Sequence, residues 1–228
     1  MNKRILLTSL LVSAGMLAGG TASAQLNLKQ FGIGGGGDSS ANAGGASSSG
    51  GVSQLLQTYV GANQQVLSGQ SSLASAMGMT GAAGQAQQAA GLLSGGTPSV
   101  SQLTQVGSTQ QSLSQSLTQA FANRASGSAS TAPVNKQAFT DGLSSLGKGV
   151  SQYSSLQSGL GSVGQMNPSS LLQSGLNPQT AQSASYIAQS APGQLQSLMS
   201  TLSSAVQFAS SHGISVPSIA TSVLKGGQ

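Results

Sequence analysis

The sequence predicts an all-α fold, a helical bundle behind a disordered Gly/Ser-rich N-terminal segment. Three observations carry this. Apolar residues recur at i, i+3, i+4 and i+7 with polar residues between them. Prolines stand just ahead of those periodic runs. Aromatic residues make up 3% of the 228-residue chain, and no stretch alternates Val, Ile or Thr as a half-buried strand would.

Residues 1–24 read as a secretory signal peptide. Lys3 and Arg4 form a basic start, and Ile5 to Ala18 is an apolar stretch too short to span a bilayer comfortably. Ala22 and Ala24 then supply small residues at the −3 and −1 positions, so cleavage is expected before Gln25. No Cys follows, which excludes a lipoprotein, and no later stretch is apolar for long enough to be a second span.

Residues 25–51 read as a flexible linker. From Gly34 to Gly51 the composition falls to Gly, Ser, Ala and Asn with a single Asp, which buries too little to offset the entropy of ordering it. The bundle is placed at residues 52–225. Its first helix shows Val52, Leu55, Leu56, Tyr59, Val60, Asn63, Val66 and Leu67 at helical spacing. Val100, Leu103, Val106, Leu113, Leu117 and Phe121 continue the pattern. Phe139, Leu143, Leu146, Val150, Tyr153 and Leu160 alternate steps of four and three, with Gln157 filling the gap; this is the seam of a helix lying along another helix. A late helix carries Leu195, Leu198, Met199, Leu202, Val206 and Ala209.

Thr97-Pro98, Asn167-Pro168 and Asn177-Pro178 each place a capping residue before a proline at the first helical position. Pro133, Pro192 and Pro217 are expected just outside periodic runs, and His212-Gly213 at a helix C-terminus. Gly61, Gly69, Gly107, Gly147 and Gly149 lower helix propensity but allow close helix approach. Val52-Ser-Gln, Val100-Ser-Gln and Val150-Ser-Gln begin similar stretches. In so Ser- and Gln-rich a chain, this recurrence is better explained by composition than by duplication.

Composition excludes most chemistry. Charged residues are 4% of the chain, against about 25% in ordinary domains. After the leader is removed, Lys29, Arg124, Lys136, Lys148 and Lys225 stand against Asp38 and Asp141, a net charge of +3. These cations are scattered, so nucleic acid is not an expected partner. With no Cys and no Glu, one His and two Asp, neither a disulfide nor a usual metal site can be built.

His212 is the sole candidate base for a Ser/His/Asp triad and reads as a helix-end surface residue; no G-x-S-x-G elbow is present. Asp38 and Asp141 cannot serve as a glycosidase pair while Asp38 lies in the flexible tail. G-x-G-x-x-G occurs at Gly32 to Gly37, inside a glycine run, and at Gly159 to Gly164, where a helical pattern ends. Neither has the strand, helix and following acid of a dinucleotide site. No catalytic residue, cofactor-binding residue or cofactor is therefore assigned. Met77, Met79, Met166 and Met199 read as core filler, and Tyr59, Tyr153 and Tyr186 as core residues with wet hydroxyls.

The Ala22-Ser-Ala24 leader, the Gly/Ser tail and the Gln/Ser-rich amphipathic helices together resemble small exported antigens of unknown function in Burkholderia-type Gram-negative bacteria. That resemblance implies a periplasmic, outer-surface or secreted protein seen by host antibodies. The expected role is a non-enzymatic interaction or structural protein with a protein partner or a second copy of itself. One alternative is a membrane-active or translocator-type helical protein, disfavoured because its polar faces carry almost no Lys or Arg. Another is a self-assembling matrix component, suggested by low charge and Gln/Asn/Ser/Gly richness.

Overall fold

A computed structural model describes residues 44–127, 133–163, 172 and 176–226. Among them are six helices and no strand: α1 (Gly44–Ala76), α2 (Thr80–Gly91), α3 (Val100–Ala125), α4 (Lys136–Val163), α5 (Pro178–Ser211) and α6 (Ser218–Gly226). No described helix is long and apolar enough to cross a membrane. The leader with Ala22, Ala24 and Gln25, most of the linker including Asp38, and Asn167-Pro168 with Met166 lie outside the described residues.

Residue pairings give the direction of each helix. Gly69 of α1 meets Gly142 and Leu146 of α4 while Gly149 meets Ala62 and Val66, so α4 runs antiparallel to α1. Leu103 is near Tyr186, Gly107 near Gln194 and Phe121 near Phe208, so α3 and α5 run parallel. Asn63 pairs with Gln110 and Gln70 with Ser114, so α1 shares their direction. The short α2 packs on α1 and α3, and α6 on α4 and α5. Of the four long helices, α1, α3 and α5 thus run in one direction and α4 in the other.

Most of the expected core positions are buried, Val60, Val100 and Val206 are half-buried, and the side chain of Leu160 lies outside the described residues. Leu55, Tyr59, Val66 and Leu67 of α1 meet Phe139, Leu143, Leu146, Val150 and Tyr153 of α4, with Leu103, Val106, Leu113, Leu117 and Phe121 of α3 and Leu195, Leu198 and Leu202 of α5 completing one continuous core. Met77 is buried and Met79 and Met199 pack partly against that core, as filler residues would. At one end Phe121, Phe139 and Phe208 cluster with ring centroids 5.4–5.7 Å apart.

The α1/α4 contact depends on glycine. A Cβ on Gly142 would lie 2.8 Å from Leu73 Cγ and 2.9 Å from the Leu73 amide nitrogen, and one on Gly149 would lie 2.6 Å from Val66 Cγ2. The two backbones are packed too closely for any side chain there, so these glycines gain in packing what they lose in helix propensity.

Several boundaries differ from the sequence expectation. Helix α1 opens at Gly44, inside the segment read as linker, and continues to Ala76. The cap of α3 is Ser99, not Thr97. Its hydroxyl accepts from the Gln102 amide while the Gln102 side chain accepts from the Ser99 amide, a reciprocal capping box that a Ser beside a Gln three residues on favours. Asn177 does cap α5, its Oδ1 2.7 Å from the Thr180 nitrogen with Pro178 at the first turn. Pro192 lies inside α5 rather than before a helix. Lacking an N–H, it leaves the Ala188 carbonyl without its helical donor, a loss that the buried faces on either side of it outweigh.

Helix α2, a run of Ala, Gln and Gly, gave no apolar periodicity, and it buries only Ala83, Ala86 and Ala89. The Val-Ser-Gln recurrence is not structural. Val100 begins α3, whereas Val52 and Val150 sit well inside α1 and α4.

Candidate functional site

Seam positions of three helices hold polar side chains in place of apolar ones. On α3 the sequence of steps Leu103, Val106, Gln110, Leu113, Leu117 puts a glutamine on the buried line, and Asn63 and Gln70 do the same on α1. On α5, Ala191, Gln194 and Leu198 follow the same three-four rhythm.

Buried polar groups of this kind need partners, and here they bind one another. Gln110 Nε2 donates to Asn63 Oδ1 at 2.6 Å, and Asn63 Nδ2 donates to the Tyr59 carbonyl at 2.8 Å. Gln70 Nε2 donates to Ser114 Oγ at 2.9 Å and to the Gln110 carbonyl at 3.1 Å. Gln70 Oε1 and Gln110 Oε1 are buried without a hydrogen-bond partner.

Beside this network Tyr59 and Tyr153 meet edge to face, their centroids 5.5 Å apart and their residues 0% and 1% exposed. Both hydroxyls donate to the same atom, Gln194 Oε1, at 2.8 and 2.9 Å. The expectation of wet tyrosine hydroxyls is therefore corrected for this pair: a protein carbonyl takes the place of water. Tyr186 also donates to protein, to the Leu103 carbonyl at 3.4 Å.

Burial lifts the Tyr59 hydroxyl above its ordinary pKa of 10.0 and the Tyr153 hydroxyl well above it, and the neighbouring phenol adds to the shift at Tyr153. Both groups hold their protons more tightly folded than unfolded. The stability they contribute is thus full below about pH 10 and is lost as pH rises through the folded values. The urea midpoint is expected to fall above pH 10, with phenolate absorbance appearing together with unfolding. In Tyr59→Phe/Tyr153→Phe that fall should be shallower.

Above this buried layer, α3 and α5 leave an open groove of about 520 Å³, within the range of small-molecule sites. Gln110, Gln111 and Ser114 line one side, and Tyr186, Gln189, Ser190 and Gln194 the other. Gly107 and Gly193 keep it open. A Cβ on Gly107 would lie 2.7 Å from Gln194 Nε2 and 3.3 Å from Tyr186 Oη, whereas one on Gly193 would meet nothing within 4 Å. A second depression of about 540 Å³ shares Ser114, Gly193 and Ser197 and carries the groove on to Gln119 and Thr201. None of the lining residues is charged.

The residues weighed in the sequence for acid-base work stand elsewhere. His212 is the C-cap of α5, stacked on Phe208 at 3.9 Å, with Nδ1 2.9 Å from the Phe208 carbonyl and 3.0 Å from Ser211 Oγ. Gly213 follows it with φ +61°, the left-handed turn glycine favours. Asp141 is exposed on α4 and accepts from Gln137 Nε2 at 3.1 Å. Among the described residues no three His, Cys, Asp or Glu side chains gather as a metal set.

Gln110, Gly193 and Gln194 were not singled out from the sequence. The available signal was a glutamine on an apolar seam, which in so glutamine-rich a chain is visible only once the seams are known. No family model, curated protein or solved structure matches the chain.

Proposed function

We propose that the protein is exported and acts as a non-enzymatic binding or structural component, holding a partner along the α3/α5 groove. The observation that carries this is the lining of the groove: carboxamides and hydroxyls on rigid helices, with no charged side chain and a hydrogen-bonded tyrosine-glutamine layer beneath it. Such a lining recognises by hydrogen bonding and shape and offers no group poised to move a proton at neutral pH. The leader ending at Ala24 and the resemblance to exported antigens of Gram-negative bacteria support a site of action in the periplasm, at the outer surface or in the medium.

Site-specific photo-crosslinking of the full chain in a Gram-negative host tests both halves of the proposal. Benzoylphenylalanine placed at Gln111 or Gln189 is expected to give adducts that the same probe at exposed Ser154 of α4 does not. The adduct-bearing protein should be found outside the cytoplasm and begin at Gln25. Equal labelling from all three positions would overturn the binding role, and an uncleaved cytoplasmic chain would overturn export.

A further inference from the structure

The chemistry of the α3/α5 groove narrows its ligand, on the premise of the binding role just proposed. The groove has two parts that join at Ser114, Gly193 and Ser197. It runs from Thr104 to Gln119 of α3, about 22 Å at 1.5 Å per residue, so it suits an extended ligand rather than a compact one.

Along its length both donors and acceptors are presented. Gln194 Nε2 lies over Gly107 as a donor. The exposed carboxamides of Gln111 and Gln189 supply further donors and acceptors from the two sides of the groove.

Charged ligands fit poorly, because with no Lys, Arg, Asp or Glu in the lining their lost hydration would not be replaced. A protein helix also fits poorly, since protein interfaces centre on aromatic, Met and Arg anchors. This lining has one tyrosine and one leucine. A chain of neutral hydroxyls has neither problem. Each hydroxyl donates and accepts at once, and a repeating polyol meets amides and hydroxyls that repeat with the helical turn.

We propose that the α3/α5 groove binds a neutral linear oligosaccharide.

Isothermal titration of the exported chain with cellohexaose, maltohexaose and xylohexaose, and with hexagalacturonate as the anionic counterpart, tests this. At least one neutral hexasaccharide is expected to bind, with hexagalacturonate weaker by about tenfold or more. Gly193→Leu grows a side chain into the groove from a position where a Cβ meets nothing, so folding should be kept and the melting temperature held or raised. The same variant should weaken binding by more than about tenfold.

Failure of all three neutral sugars to bind would overturn the proposal. So would equal affinity for hexagalacturonate, or a Gly193→Leu variant that binds as tightly as the parent. If Gly193→Leu instead turns a dimer into a monomer and no sugar binds, the groove holds a second copy and the saccharide is ruled out. The crosslinking result separates the two levels: groove-specific adducts to protein, with no sugar binding, leave the binding role standing and remove only the saccharide.

Discussion

Gly69→Ala is expected to destabilise the bundle by about 3 kcal/mol, although alanine is the better helix former by about 1 kcal/mol. The new Cβ would sit 2.6 Å from the Leu146 amide nitrogen, 2.9 Å from the Gly142 carbonyl oxygen and 2.9 Å from Leu146 Cα. All three are backbone atoms of α4 and cannot swing aside as a side chain end can. The helices must therefore separate, which loosens Val66, Leu73, Leu143 and Val150 together.

For a chain of this size such a loss lowers the melting temperature by roughly 6–12 °C. Gly61→Ala is the matched control, because it lies on the same helix and its Cβ would meet nothing within 4 Å. It should stabilise by about 0.5–1 kcal/mol. Urea unfolding of the two variants should move in opposite directions; a gain from both would show that α1 and α4 do not approach as closely as described.

Gln194→Leu is expected to destabilise by about 2 kcal/mol while nearly preserving side-chain volume. It removes the one oxygen that accepts from both Tyr59 and Tyr153 and leaves two buried hydroxyls without that acceptor. The diagnostic step is rescue. With Gln194→Leu already present, Tyr59→Phe/Tyr153→Phe should restore most of the loss, because donors without an acceptor have been taken away. With Gln194 intact, the same double change should be destabilising. Urea denaturation of the four proteins gives the coupling as a cycle. Additive effects would mean that the hydroxyls do not depend on Gln194.

Much of this architecture is legible from spacing alone. Val52 to Leu67, Leu103 to Phe121 and Phe139 to Tyr153 are buried where the three-four rhythm places them, because a helix exposes one apolar stripe and that stripe must find a neighbour. The Asn177 and His212-Gly213 helix ends follow from local hydrogen bonding and backbone preference. Where local rules compete, the reading slips by a few residues. Ser99 wins over Thr97 because Gln102 can return its hydrogen bond, and Pro192 stays helical because α5 is held on both sides of it by buried residues.

Helix α2 escapes because alanine carries little hydrophobic signal, yet it is small enough to lie close to its neighbours.

By itself the sequence determined that the chain is helical, where its longest apolar stripes lie, and how little charge it has to work with. Those are properties of single segments, set by periodicity and composition. Only the tertiary structure decided that Gly69, Gly142 and Gly149 are required rather than merely tolerated, since the need arises from a second backbone. Only it brought Gln194 to Tyr59 and Tyr153, residues separated by 135 and 41 positions. And only it opened a groove between α3 and α5, because which glutamines face a buried acceptor, a neighbour or solvent depends on the register of one helix against another.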